Sequence, residues 1–313
     1  MHVVVTGAGG RLARALLPVL LADPAVGRVT GIDRAPIASA HRKLVALRAD
    51  IAEPRAHAAL RGADALVNLA FVVLRGRMPL AAMRATNVEA TKALLGAAAD
   101  AGVKIVVHLS SAAVYGNGAN LTEAAPLAPL PGFQYAQHKA EVDAWIAHAL
   151  PHASVLRPTI VLGPHAHPLL VTLLDLPFYV RVPEPQPRLS LVHEDDVAQA
   201  VRLALAPGTS GPFNLAAQHG IAMRDLVRAR HARTAGISPR LARVALATTW
   251  RLTGFGGEPG WIDGAAAPLT LDCTRARQRL GWQPRYDDCE SIVATCGRRA
   301  RGREVSPGTQ NSE

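Results

Sequence analysis

The chain opens MHVVVTGAGGRLARALLPVLLA, residues 1–22, and this stretch decides the fold. His2 to Thr6 is a continuous apolar, β-branched run, the pattern of a strand buried on both faces. Gly7, Gly9 and Gly10 interrupt it, and Arg11 to Ala22 reads as a helix. Pro18 falls inside that helix and removes a backbone donor, so a kink or irregularity is expected there. Strand, glycine turn and helix start in this order make an anion site. Glycines let the backbone approach a pyrophosphate, and the helix N-terminus offers free N–H groups and the positive end of its dipole. Arg11 and Leu12, at the helix start, would lie against the same group.

The alternation continues outward. Apolar β-rich runs recur at 28–33, 65–70 and 105–109, and another starts at 154–156. Ala- and Leu-rich stretches of helical length lie between them, notably 80–99 and 135–150. Strands alternating with helices imply crossovers and a parallel sheet. The expected fold is therefore α/β, a doubly wound parallel sheet of Rossmann type over residues 1–160. After 160 the rhythm changes: a proline-rich stretch at 177–187, helical patterns at 223–234 and 240–252, and a glycine-rich loop at 254–260. Residues 161–297 are read mainly as a smaller C-terminal substrate-binding lobe, with elements near 188–215 returning to the first domain. The polar tail, 298–313, is expected to be disordered.

Composition removes several classes of function. Of 313 residues 49% are hydrophobic, enough for a sizeable core, and only 19% are charged. The net charge of +10 comes from scattered arginines, gathered only at Arg298, Arg299, Arg301 and Arg303, so no nucleic-acid partner is expected. Three cysteines, Cys273, Cys289 and Cys296, show no metal-ligand or disulfide spacing, which fits reduced thiols in the cytoplasm. The apolar run 169–182 is broken by Asp175 and Pro177, too short to span a bilayer. His165 and His167 lie close together without a third ligand in view, so no metal is expected.

An acid at a strand end has a specific use beside a pyrophosphate site. Asp33 would hydrogen-bond adenosine ribose hydroxyls and repel a 2′-phosphate, favouring NAD, whereas Arg34 or Arg11 could pair with the phosphate of NADP. Asp50 and Ile51, after the third strand, are candidates to contact the adenine.

Tyr135 stands four residues before Lys139 in QYAQHKAEVDAW, one face of a helix. Hydride transfer at a carbinol carbon needs a proton moved at its oxygen. A phenol with an ordinary pKa near 10 does this poorly at neutrality, and a nearby ammonium favours the phenolate. Tyr135 then serves as general acid or base, with Lys139 tuning it and holding the nicotinamide ribose. VVHLSSAAVYG runs off an apolar strand into a turn, where Ser110 or Ser111 could orient the substrate oxygen.

Taken in order, these pieces resemble extended short-chain dehydrogenases, the NAD-dependent epimerase/dehydratase family, along nearly all of residues 2–297. TGAGGRLA is similar to the family's TGxxGxxG turn, with Ala13 in place of the last glycine. LVNLAF (66–71) resembles the strand beneath the cofactor, bringing in Leu69 and Ala70. TNVEATKALLGAA resembles the NVxGT helix, which makes Asn87 a structural and cofactor-pocket residue. SSAAVYG resembles the serine turn, whose catalytic hydroxyl lies four residues before Tyr115, at Ser111. YAQHK matches YxxxK. LRPTIVLGP (156–164) resembles the loop over the nicotinamide, adding Pro158 and Ile160, and LVHEDDVAQA and LDCTRARQRLGWQP resemble the late turn and C-terminal signature. Nucleotide-sugar members often carry Asn where Ile160 stands, and the form here looks more like reductases and hydroxysteroid-type dehydrogenases.

The resulting expectation is an NAD(P)-dependent oxidoreductase acting on a small-molecule alcohol or ketone, with Ser111, Tyr135 and Lys139 as the catalytic trio. A nucleotide-sugar epimerase/dehydratase with tightly bound NAD and a non-catalytic dinucleotide-binding sensor are the alternatives. The resemblance implies a homodimer through helices near 80–100 and 135–150. Elsewhere, His193 is read as structural or at the pocket edge, Asp195 and Asp196 as caps of the helix they begin, and Trp282 as core. Trp250, Phe255 and Trp261 either line the substrate lobe or pack it.

Overall fold

A computed structural model describes residues 1–37, 39–74, 76–182, 184–254 and 260–296. Phe255, most of the 254–260 loop and the 298–313 tail lie outside the described residues. Among the described residues the main sheet has seven strands: β1 (His2–Thr6), β2 (Arg28–Asp33), β3 (Leu44–Arg48), β4 (Ala65–Asn68), β5 (Ile105–Leu109), β6 (Ser154–Pro158) and β7 (Gly211–Leu215). They run in the order β7-β6-β5-β4-β1-β2-β3, all parallel. This is the expected doubly wound sheet. The order reverses at β1, the switch point at which open sheets of this kind bind ligands beyond the carboxyl ends of their strands.

The apolar runs form central strands because both faces are covered. Val3, Val4 and Val5 have no exposed surface. Val3 and Val5 belong to one core with helix α1 (Arg11–Ala22), and Val4 belongs to the opposite core with Leu94, Leu95 and Ile146. That second core includes residues of α2 (Gln134–Ala149). Helix α3 (Glu194–Ala204) packs against α1 on the first face.

Helix α1 remains α-helical from Arg11 to Ala22 with Pro18 inside it, so the proline does not end the helix. Leu16, Leu17, Leu20 and Leu21 are buried on both sides of the proline, and their packing outweighs one missing backbone hydrogen bond. Ala13 is fully buried at the helix start. Residues 80–100 are helical throughout, but Ala85–Ala90 is a π-helical turn between α-helical Leu80–Arg84 and Thr91–Asp100. The helix expected at 223–234 stops early, at Met223–Arg228. The sequence then turns into a short strand, Ala235–Ile237, parallel to Phe178–Val180.

The late turn differs from expectation at its acids. His193 caps α3, its Nδ1 accepting from Asp195 N at 3.1 Å. Asp196 is buried and accepts from Arg285 N (2.6 Å) and Tyr286 N (3.1 Å), while Trp282, fully buried, donates to Asp196 O. Asp196 thus anchors the C-terminal segment instead of capping its own helix. Among the described residues no helix is long and apolar enough to cross a membrane.

Candidate active site

The candidate residues collect at the carboxyl ends of successive strands. Gly7 follows β1, Asp33 ends β2, Asp50 follows β3, Leu69 and Ala70 follow β4, Ser111 follows β5 and Pro158 ends β6. Gly7 has φ +70°, and a Cβ there would stand 2.7 Å from Ala70 N. The turn therefore needs glycine twice over, for its left-handed backbone and for its approach to the β4 loop. Gly10 N donates to Gly7 O at 2.9 Å, closing the turn. Helix α1 begins with no side-chain cap and no acid in its first turn, which leaves its leading N–H groups free for an anion.

Asp33 shapes the same turn from β2. One carboxylate oxygen accepts from Gly9 N (2.9 Å) and the other from Ala35 N (2.8 Å), each leaving lone-pair capacity for a ribose hydroxyl. Arg34 pairs with Asp50 at 3.6 Å on the surface. Arg11 reaches Ala166 O (3.4 Å), linking the glycine turn to the segment after Ile160. Leu12 is half-buried against the core. Ile51 and Pro158 are buried, while Ile160 is partly exposed. Asn87, fully buried on the π-helical turn, accepts from Val72 N (2.7 Å) and donates to Val72 O (2.9 Å), clamping the loop after β4.

An uncapped twelve-residue helix behind a glycine cradle, with a carboxylate at the end of β2, fits a dinucleotide. Gly7→Ala tests the cradle. The left-handed backbone alone is expected to cost about 1–3 kcal/mol, and the displaced β4 loop to weaken NAD⁺ binding. Thermal unfolding and nucleotide titration measure the two losses separately, and an unchanged protein would mean the close approach at Ala70 is misplaced.

Tyr135 and Lys139 share one face of α2, and Ser111 lies near enough to the Tyr135 phenol to pull its pKa down. Ser111 Oγ also accepts from Ala113 N (3.2 Å), fixing the short helical turn it begins. Burial raises the phenol to about 12, with Ser111 pulling the other way. The lowering expected from Lys139 is not found; the charge on Asp143 adds to the rise instead. Lys139 donates to Leu109 O (2.5 Å), and its Nζ lies 3.5 Å from the centre of the Phe71 ring. Burial pulls this ammonium down to about 7 against the supporting field of Asp143.

Behind the pair lies a buried polar chain that the sequence reading missed. Asp143 accepts from Arg157 Nε (2.9 Å), Arg157 Nη1 donates to the Tyr115 hydroxyl (2.8 Å), and Tyr115 donates to Asn214 Oδ1 (2.8 Å). Ser110, the competing serine, is buried near Asp143 and pulls its carboxyl down against burial, while Ser110 Oγ and Asp143 Oδ1 have no hydrogen-bond partner among the described residues. On the other side Thr6 donates to Asn68 Oδ1 (2.6 Å), and Asn68 Nδ2 meets His108 Nδ1 (3.1 Å). His108 is held neutral by burial and by Lys139. One signal was available: Asp143 continues the four-residue spacing of Tyr135 and Lys139.

The histidines of the following segment have local partners. His165 Nδ1 meets Glu194 Oε1 at 2.6 Å, and His167 caps the helix Pro168–Asp175. Trp250 donates to Gly76 O (2.8 Å), and Trp261 stacks on Tyr135 with ring centres 5.6 Å apart.

Residues 3–216 match the model of the NAD dependent epimerase/dehydratase family. The dTDP-glucose 4,6-dehydratase of Streptomyces griseus is 26% identical, the alignment covering 94% of this chain and 92% of that one. The crystal structure of the dTDP-glucose 4,6-dehydratase from Streptomyces venezuelae, with NAD bound, is similar with a TM-score of 0.72 and 25% identity over 95% of this chain and 96% of that one. UDP-glucose 4-epimerase from Thermotoga maritima, crystallised with UDP-glucose, gives a TM-score of 0.75 at 18% identity, over 95% and 97%, a likeness of fold.

Proposed function

The chain belongs to the NAD-dependent epimerase/dehydratase family, and on that premise we propose that it is an NAD-dependent oxidoreductase that transfers hydride at a secondary alcohol or ketone carbon. The observation that supports this reading is Lys139 bonded to Leu109 O at the end of β5, with Tyr135 one turn before it on α2 and Ser111 two residues beyond that strand. NAD, when bound, supplies the hydride acceptor or donor. Gly7, Gly9, Gly10 and the α1 N-terminus would hold its pyrophosphate, and Asp33 its adenosine ribose. NADP is the less favoured partner, because the Asp33 carboxylate repels a 2′-phosphate.

Ser111 orients the substrate oxygen, and Tyr135 moves the proton. With its phenol raised to about 12, Tyr135 is protonated at neutrality, the form that donates to a carbonyl oxygen. Lys139 holds the nicotinamide ribose. Residues 161–297 supply most of the substrate side, and helices near 80–100 and 135–150 pair two copies into a homodimer. Three buried, unpaired thiols support a cytoplasmic enzyme.

The second reading is a nucleotide-sugar enzyme in which hydride leaves and returns, and the dTDP-glucose dehydratase relatives favour it. Dehydration also needs a general acid and base for the departing water. Asp143, the carboxylate whose field reaches Tyr135, is closed off behind Lys139 by Arg157. Steady-state absorbance separates the readings. Net formation or loss of NADH with substrate supports the oxidoreductase; turnover with protein-bound NAD and no net absorbance change would replace it with the second.

A further inference from the structure

Three aromatic rings from three parts of the chain surround Tyr135. Phe71, on the loop after β4, meets it edge-on at 5.7 Å, and Phe133, just before α2, lies at 5.9 Å. Trp261 stacks on it at 5.6 Å and meets Phe133 edge-on at 4.8 Å. The helix carrying Trp261, Gly260–Ala266, is seated by glycines: a Cβ at Gly260 would stand 3.0 Å from Gly132 O and from Phe133 Cα. The preceding helix, Pro239–Thr253, is tied to the same β4 loop, with Trp250 donating to Gly76 O and Arg77 to Leu252 O (2.9 Å). The lobe thus brings Trp261 against the phenol that moves the proton.

We infer that Phe71, Phe133 and Trp261 form a substrate subsite for an apolar, ring-bearing carbinol or ketone, and that Trp261 determines specificity by stacking on it. The inference rests on the oxidoreductase reading and narrows its substrate. Ser111 and Lys139 are given to the reacting oxygen and the cofactor in that reading, and the faces of the three rings offer a hydroxyl no conventional hydrogen-bond partner. A hexose placed there would bring several further hydroxyls against aromatic faces. Each hydroxyl buried without a partner weakens binding roughly ten- to a hundredfold. A flat hydrocarbon ring makes no such demand and gains aromatic stacking and apolar burial. In the reductive direction hydride passes from NADH to the carbonyl carbon and the Tyr135 proton to its oxygen. The products are the alcohol and NAD⁺, and solvent reprotonates the phenolate.

The test titrates 1-indanone and UDP-glucose into wild type and Trp261→Ala, with and without NAD⁺, by ligand-observed saturation-transfer NMR. NAD⁺ binding by calorimetry and the thermal transition are measured on the same samples. The expected result is 1-indanone bound in preference to UDP-glucose and weakened about tenfold or more in Trp261→Ala, with NAD⁺ affinity and thermal transition retained. Preference for UDP-glucose, no binding of 1-indanone, or equal binding by both proteins overturns the inference. Loss of NAD⁺ binding by wild type would instead overturn the parent reading, and the titrations without nucleotide still score the aromatic subsite. If Trp261→Ala fails to fold, Trp261→Leu keeps the apolar bulk and is expected to weaken 1-indanone in the same direction.

Discussion

Tyr135→Phe is expected to slow hydride transfer by about 10²–10⁴-fold, the range for removing a positioned general acid or base, while NAD⁺ still binds. The substitution keeps the ring, so the contacts with Phe71, Phe133 and Trp261 persist and the fold is unperturbed. It removes the hydroxyl whose pKa Ser111 pulls down. The phenol exchanges its proton with the substrate oxygen as hydride moves, so its loss falls on the chemical step and not on nucleotide affinity. A single-turnover measurement of NADH with saturating substrate isolates that step. Full activity in this variant would move the proton transfer to another group and remove Tyr135 from the mechanism.

Arg157→Met is expected to destabilise the protein by about 3–5 kcal/mol, a large share of the 5–15 kcal/mol typical of a native fold. Arg157 and Asp143 are both buried, and the variant leaves the carboxylate near Ser110 and Lys139 with its main counter-charge gone. The guanidinium also donates to Tyr115, whose hydroxyl in turn holds Asn214 on β7, so the loss spreads across the sheet. Thermal or chemical unfolding reads the effect, with the midpoint expected to fall by roughly 5–8 °C. Adding Asp143→Leu should restore much of it, because the uncompensated charge is then gone. A single variant as stable as wild type would mean that Asp143 is already neutral and the pair contributes no charge interaction.

Much of the fold was legible because five of the seven strands carried their own evidence. Buried parallel strands need apolar runs; β1 and β5 are mainly such runs, and β2 is carried by Val29 and Ile32, whereas β3 and β7 were not read as runs of this kind. Tyr135 and Lys139 were legible because four-residue spacing on a helix is local. The Asp143–Arg157–Tyr115–Asn214 chain was not, because its members come from α2, β6, the turn after β5 and β7, and only the sheet order brings them together. Two local signals misled. Asp195 and Asp196 have the composition of a cap, yet His193 reaches the same N–H first and Asp196 turns inward to Arg285 and Tyr286. Residues 229–234 keep a helical composition, but the chain bends so that Ala235–Ile237 can pair beside Phe178–Val180. The π-helical turn that aims Asn87 at Val72 likewise has no periodic signature of its own.

The most direct test of the central claim is a calorimetric titration of the purified protein with NAD⁺ and with NADP⁺, after any co-purified nucleotide has been identified and removed. The account predicts saturable NAD⁺ binding through the Gly7–Gly10 turn, with NADP⁺ weaker because Asp33 repels its 2′-phosphate. Binding of neither nucleotide would contradict it at its root. A preference for NADP⁺ would contradict the role given to Asp33 and shift the phosphate contact to Arg34 or Arg11.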